Sequence, residues 1–141
     1  MEKFYLEEPS QERKKDILDY LNEFVLYNSD VNGAGALDKI LNGQSFEEAL
    51  DRCLNMKNEE YAKRHGRCQS KTFLLIRKND NKLIDMINVR WNLTEEMKRF
   101  AGNIGYGIRP TERRKGYNKI NLYLGLLEAK KIGLDKVMLD C

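Results

Sequence analysis

Residues 71–91 constrain the fold of this chain more strongly than any other segment. They read KTFLLIRKNDNKLIDMINVRW, two runs rich in β-forming apolar residues on either side of the polar sequence KNDNK. Such runs favour strands, and a short polar linker between them is typical of a turn. The segment therefore predicts a strand, a turn and a second strand.

The N-terminal half predicts one short strand and two helices. KFYLEEPS is expected to form a strand that ends at Pro9, and apolar residues at helical spacing predict a helix over residues 11–27. The glycine-containing polar segment at 28–38 interrupts this periodicity. Ser45 and Glu48 form a capping-box pattern directly before a second amphipathic helix.

The C-terminal half alternates helices and strands. Residues 92–102 predict a short helix or a loop, with Thr94 as the capping candidate, and NIGYGIRP predicts a strand that Pro110 ends. Apolar residues between 116 and 132 predict a long helix closed by Gly133. The final segment, LDKVMLDC, predicts a last strand.

This order of elements predicts one domain over residues 1–141 of the α/β (α+β) class, with a mixed, mostly antiparallel sheet and flanking helices. The last strand, helix and strand should form a right-handed crossover. That connection would place the strands at 104–108 and 136–140 parallel to each other.

Composition excludes several classes of protein. The chain has 141 residues, 33% of them charged, and no apolar run approaches the ~20 residues that cross a bilayer. The N-terminus lacks the apolar stretch of a secretory signal, so a cytoplasmic protein with no membrane partner is expected. The three cysteines include no CxxC pair and His65 is the single histidine, so neither a disulfide framework nor a metal site is predicted.

The segment IRPTERRKGYNK, residues 108–119, concentrates positive charge where the last helix begins. A helix N-terminus exposes unpaired N–H groups and the positive end of the helix dipole, so added cations are unfavourable there unless an anion is bound. A glycine turn at this position would let phosphate oxygens approach the main chain. We therefore expect a phosphate or pyrophosphate site. The segment carries one acid, Glu112, and the cations Arg109, Arg113, Arg114, Lys115 and Lys119.

Other interpretations of this segment fit less well. No Walker A sequence is present, and in the G-x-G of Gly105 and Gly107 the third glycine of a dinucleotide fingerprint is replaced by Pro110. A basic loop that merely faces solvent is the simplest alternative. A nucleic-acid-binding module is not expected, because aromatic residues do not alternate with the cations and the basic segment is short.

The C-terminal sequence GYGIRPTERRKGYNKINLYLGLLEAKKIGLDKVMLDC resembles motif A of the GNAT superfamily of N-acetyltransferases. The superfamily pattern R/Q-x-x-G-x-G/A, between a strand and a helix, corresponds here to RRKGYN beginning at Arg113. Asn118 stands at the position usually held by glycine or alanine. Upstream, SKTFLLIRKNDNKLIDMINVRWNL is similar to the hairpin of a group of predicted bacterial acetyltransferases.

The resemblance implies an acetyl-CoA-dependent transfer of an acetyl group to an amine, by direct attack of the amine on the thioester in a ternary complex. Main-chain groups of Tyr106, Gly107 and Ile108 would bind the pantetheine arm of acetyl-CoA as an added strand, with Arg113 at the entrance of the loop. Main-chain amides would hold the pyrophosphate; they belong to Arg114, Lys115, Gly116, Tyr117, Asn118 and Lys119.

The resemblance leaves the catalytic residues and the acceptor open. The acceptor, a small molecule or a peptide with an amine, would bind to the variable segments at roughly 28–66 and 91–103. Trp91 is expected to be a partly buried core aromatic rather than part of the acceptor cleft. The carboxylates that could act as a base, none of them singled out by its pattern, include Asp85, Glu95 and Glu96.

The resemblance also implies a GNAT-like sheet with a central parallel strand pair. Members of the superfamily continue beyond the position of Cys141 with a helix and two more strands, so this chain is expected to be a C-terminally truncated, incomplete domain. An open strand edge and uncovered apolar residues would then favour a homo-oligomer. The alternative function is a catalytically inactive CoA-binding or interaction domain.

Overall fold

A computed structural model describes residues 3–100 and 102–137 of the chain. Its strands are β1 (Phe4–Glu7), β2 (Gln69–Arg77), β3 (Lys82–Trp91) and β4 (Ile104–Ile108). Its α-helices are α1 (Lys14–Leu26), α2 (Phe46–Asn55), α3 (Glu59–Arg64), α4 (Glu95–Phe100) and α5 (Tyr117–Ile132). Shorter 3-10 segments cover Gln11–Arg13, Gly35–Asn42 and Pro110–Glu112.

The four strands form one antiparallel sheet in the order β1-β2-β3-β4. The predicted hairpin is confirmed, and it is the centre of the sheet. Leu75 pairs with Asp85 but Ile76 pairs with Leu83, so Ile84 is an extra residue that forms a bulge in β3. The α/β class and the antiparallel strands are confirmed. The second strand of the predicted parallel pair falls largely on residues 138–141, outside the described residues.

The two faces of the sheet are covered by different helices, as strand alternation requires. On one face, α1 and α2 pack over Leu74, Ile76, Leu83 and Met86. On the other face, α5 packs over Phe73, Leu75, Ile84, Ile87 and Val89. Because both faces are buried, the central strands carry apolar residues almost without interruption.

Capping residues and glycines in the sequence predicted most helix ends correctly. Ser45 Oγ accepts a hydrogen bond from the Glu48 N–H at 3.1 Å, and Thr94 Oγ1 accepts one from the Met97 N–H at 3.2 Å. The sequence did not predict α3 or the 3-10 segment at Gly35–Asn42. Helix α3 is short and mostly polar, and the 3-10 segment follows a glycine-containing stretch and has about 3.0 residues per turn, so a search for α-helical apolar periodicity does not reveal either of them.

Helix α5 approaches the sheet closely through Gly125, which is buried in the middle of the helix. A Cβ at this position would overlap Ile87 Cδ1 on β3. The absence of a side chain therefore sets the distance between α5 and the strand next to β4, and with it the position of the helix N-terminus.

We expect Gly125→Ala to destabilise the protein, because overpacking costs about 1–3 kcal/mol and outweighs the gain of about 1 kcal/mol in helix propensity. Ile87→Val removes the methyl group that the new Cβ would overlap. In that background Gly125→Ala should stabilise the protein instead. Urea unfolding of the four proteins measures the difference, and an equal effect of Gly125→Ala in both backgrounds would contradict this close contact.

Candidate functional site

The outer edge of β4 presents main-chain groups that no strand in residues 3–100 or 102–137 pairs with. The Arg109 N–H donates to the Ile84 carbonyl at 3.2 Å, and the Arg90 N–H donates to the Asn103 carbonyl at 2.6 Å. In an antiparallel ladder the residues between such pairs point their N–H and C=O groups to the opposite side. Tyr106 and Ile108 therefore direct their main-chain groups away from β3, towards the open edge.

Gly107 is held from both sides of the sheet. The Tyr20 hydroxyl on α1 donates to the Gly107 carbonyl at 2.9 Å, and the Gly107 N–H donates to Asp85 Oδ1 at 3.2 Å. The other carboxyl oxygen of Asp85 accepts from Asn121 Nδ2 on α5 at 2.6 Å. These contacts connect α1, β4, β3 and α5 through one glycine. The position of β4 relative to both helices is thereby fixed.

Asp85 is fully buried, which corrects its treatment as one of several unspecific acids. Burial raises the pKa of Asp85 well above its usual range, although hydrogen bonds from Met86, Gly107 and Asn121 act in the opposite direction. Asp85 pairs with Leu75 and lies on the same face of the sheet as Ile87, so its side chain faces α5. An acid between Ile84 and Met86 in an apolar strand is the signal that could have indicated this. Glu95 and Glu96, by contrast, are exposed.

Several cations of the basic segment bind to the protein itself. Arg109 is buried and pairs with Glu23 on α1, with 3.0 Å between Nη2 and Oε1; its Nη1 donates to the Leu83 carbonyl at 2.6 Å. Arg113 Nε donates to the Ile108 carbonyl at 3.0 Å and Nη2 donates to Ser29 Oγ at 2.8 Å. These two arginines fix the loop that joins β4 to α5.

Glu112 gathers three cations around a carboxylate that is 5% exposed. Its oxygens accept from Arg77 at 2.8 Å, from Lys82 at 3.1 Å and from Lys115 at 2.9 Å. Burial by itself would raise the pKa of Glu112, but the hydrogen bonds from Lys115, Arg77 and Lys82 outweigh it and lower the pKa to about 2. Lys115 is therefore neutralised by the one acid of its own segment.

Arg114 and Lys119 are exposed and have no hydrogen-bond or ion-pair partner in the part of the chain that the structure describes. Arg114 has φ of +66° and Gly116 has φ of +82°, so two left-handed residues turn the chain into α5. The left-handed backbone conformation of Arg114 costs about 1 kcal/mol or more, so other interactions of this turn must offset the strain. No side chain caps the N-terminus of α5. The N–H groups of its first turn are thus available to an anion.

A cavity of about 230 Å³ lies on the face of the sheet that α1 and α2 cover. Its walls come from the segment after α1, the end of α2, the start of β2, and strands β3 and β4. It reaches β4 at Gly105, one residue from Tyr106. The charged residues of its lining are Asp38, Lys39, Arg52, Arg67 and Arg90. Most of the lining falls in or next to the segments in which the acceptor site was expected, whereas Trp91 is partly buried and lies outside it.

The glycines of the G-x-G sequence make room for neighbouring residues on this face. A Cβ at Gly105 would lie 3.0 Å from Arg90 Nη1, and one at Gly107 would lie 3.2 Å from the Asn32 carbonyl oxygen. Gly33 has φ of +78°. A Cβ at Gly33 would lie 2.7 Å from the Met86 carbonyl oxygen and 2.7 Å from the Tyr106 Cα. Gly33 and Gly107 therefore allow the segment after α1 to lie directly on β4, and Gly105 leaves room for the Arg90 side chain.

No protein-family model, curated protein or solved structure matches this chain. No helix in the described residues is long and apolar enough to span a bilayer. Within residues 3–100 and 102–137, no three His, Cys, Asp or Glu side chains are grouped so that they could hold a metal ion. His65 is exposed, and Cys53 and Cys68 are buried free thiols.

The cluster around Glu112 gives the protein a predicted dependence on pH. Because the folded-state pKa lies below the ordinary value of 4.5, the ionised carboxylate stabilises the fold above that value and loses this contribution as the pH falls towards 2. We expect Glu112→Gln to lower the free energy of unfolding by about 3 kcal/mol at pH 7 and by progressively less below pH 4.5.

Urea unfolding across this pH range measures the effect, wherever both proteins unfold cooperatively. The exposed Glu96 provides a matched control, and Glu96→Gln should change the stability little at any pH. A pH-independent effect of Glu112→Gln would show that the carboxylate is not held in its charged form by these cations.

Proposed function

We propose that this chain binds acetyl-CoA along β4 and at the N-terminus of α5, and that it transfers the acetyl group to an amine. One observation carries the proposal: the edge of β4 that no strand in residues 3–100 or 102–137 pairs with leads directly, through residues 109–116, into a helix whose first turn has no side-chain cap. An extended ligand with amides at one end and a pyrophosphate at the other fits this succession of groups.

The main-chain groups of β4 support the pantetheine arm in this proposal. Tyr106 offers both its N–H and its carbonyl to the open edge, and Ile108 offers its N–H. The Ile108 carbonyl already accepts from Arg113. A pantetheine amide would therefore bind chiefly to Tyr106, with Arg113 marking the end of the strand-like part of the ligand.

The pyrophosphate would bind where the chain turns into α5. Main-chain amides between Arg114 and Lys119 supply donors, and the exposed side chains of these two residues supply charge. Lys115 contributes its amide rather than its ammonium group, because that group binds Glu112. The turn at Gly116 leaves open space where a Cβ would stand, so oxygens can approach the main chain there.

The reaction would be a direct transfer. The neutral amine nitrogen attacks the thioester carbonyl carbon, the C–S bond breaks, and the CoA thiolate leaves and takes up the proton that the amine loses. The protein orients the two reactants and stabilises the charge that develops on the carbonyl oxygen. Asp85 is not the general base, because burial favours its protonated form and its oxygens bind the main chain and Asn121. It is a positioning residue for β4.

A catalytically inactive CoA-binding or interaction domain is the second candidate. Two observations favour it: Arg113 and Lys115 are engaged by the protein itself, and Asn118 stands where the superfamily has glycine or alanine. Asn118 Oδ1 is buried and has no hydrogen-bond partner in the described residues. Either candidate would be a cytoplasmic protein, and both the location and a homo-oligomeric state remain predictions.

Calorimetric titration with CoA tests the cofactor site. We expect micromolar binding that Arg114→Glu weakens by about tenfold or more, since a charge-assisted contact contributes roughly 1.5–3 kcal/mol. Lys130→Glu, an equal change of charge on an exposed part of α5, should leave the affinity unchanged. Absence of CoA binding, or equal weakening by both variants, would overturn the proposed site.

Release of the CoA thiol from acetyl-CoA in the presence of a panel of amines separates the two candidates. Turnover that depends on an amine supports the transferase. CoA binding without turnover for any amine class supports the inactive domain.

A further inference from the structure

The cavity beside β4 is lined by more positive than negative charge. The side chains of Lys39, Arg52 and Arg67 form no ion pair or hydrogen bond with any residue in the ranges 3–100 and 102–137. Asp38 is the single acid of the lining, and it too has no ion-pair partner within those ranges. Unpaired cations around a concave surface attract an anion, because the low-dielectric walls focus their field into the cavity.

The charged side chains that line the cavity influence the same buried groups. Burial raises the pKa of Asp38, and the charges of Lys39, Arg67 and Arg52 act against this rise. Burial likewise raises the pKa of the Cys68 thiol, and the charges of Arg90 and Arg67 oppose it. Residues from separate elements thus influence the same buried groups. Because these residues also line one cavity, their side chains can act together on a bound ligand.

Arg90 provides a fixed cation at the β4 end of the cavity. Its Nε donates to the Gly102 carbonyl at 2.8 Å and its Nη1 donates to Asn88 Oδ1 at 3.1 Å. Asn88 is buried and in turn donates to Thr72 Oγ1 at 3.0 Å. A guanidinium held by a buried amide and a main-chain carbonyl loses little conformational freedom when a ligand binds.

We propose that this cavity binds the carboxylate or phosphate group of a small molecule, and that this molecule is the amine acceptor of the reaction. The second part rests on the proposed acetyltransferase function; the first does not. A cavity of about 230 Å³ lies below the ~300–1,000 Å³ of pockets for drug-sized ligands, so the ligand is of the size of an amino acid or a small phosphorylated amine.

The position of the cavity suits this role. Gly105 forms part of its lining, next to the Tyr106 groups that would hold the pantetheine arm, whereas α5 lies on the other face of the sheet. An anionic group bound among the cations would leave the amine of the same molecule directed to β4. The surrounding positive charge also lowers the pKa of that amine, which favours the neutral form that attacks the thioester.

Thermal unfolding in the absence of CoA tests the anion site with matched pairs of probes. One pair is L-alanine against L-alaninamide, and the other is phosphoethanolamine against ethanolamine, all at equal ionic strength. A bound ligand raises the melting temperature in a concentration-dependent manner. We expect the anionic probe of at least one pair, meaning the member that carries a carboxylate or phosphate group, to bind about tenfold more tightly than the partner that lacks this group. The pair that responds identifies the carboxylate or the phosphate as the recognised group.

Variants decide whether the cavity is responsible. Arg67→Glu and Lys39→Glu should each weaken this binding by about tenfold, whereas Lys130→Glu, remote from the cavity, should not. Arg67 is exposed, so its replacement should not prevent folding. No preference for the anionic probes, or an equal response in the cavity variants and the control, would overturn the inference.

Failure of this inference is distinguishable from failure of the proposed function. CoA binding without binding of either anionic probe overturns the anion site and leaves the cofactor site intact. Binding of an anionic probe without CoA binding supports the anion site and overturns the transferase.

Discussion

The structure depends on the hydrogen bonds of one buried carboxyl group. A fully buried Asp85 is costly unless each oxygen has a partner, and the main chain of β4 together with Asn121 on α5 supplies those partners. The same contacts hold Gly107, whose carbonyl accepts from Tyr20 on α1. A single polar group between two apolar layers thus aligns the edge strand with both helices. The functional groups proposed above lie on either side of this strand.

Charge at the start of α5 follows from two separate requirements. Part of it is structural: Glu112, nearly buried, needs cations from β2, from β3 and from its own turn, and Lys115 is one of them. Arg109 and Arg113 also bind groups of the protein itself. Arg114 and Lys119, in contrast, pair with no acid in the described residues and lie beside an uncapped helix N-terminus. An unfavourable arrangement of cation and helix dipole is more easily understood if an anion binds there. The cavity on the opposite face also holds cations of this kind, because the side chains of Lys39, Arg52 and Arg67 have no acidic partner in the described residues.

Local structure could be predicted from the sequence, whereas the long-range groupings could not. The hairpin, the caps at Ser45 and Thr94 and the glycine end of α5 follow from patterns within a few residues. In the ion cluster, Glu112 binds Arg77, which lies 35 residues away in the sequence, and Lys82, which lies 30 residues away. No local pattern specifies these pairings. Burial of Asp85 depends on the packing of α5 over β3, and its hydrogen bonds come from β4 and from Asn121, 36 residues away. The cavity is assembled from elements far apart in the sequence, so only its general segments could be anticipated.

The central claim is that CoA lies along β4 and ends at the first turn of α5. Main-chain amide chemical shifts recorded during a titration with CoA test it most directly, because each amide reports its own hydrogen bond. The account predicts that the largest changes occur at Tyr106, at Ile108 and at residues 114–119, and that residues on α2 and α3 change little. Saturation by CoA with those amides unchanged would contradict it.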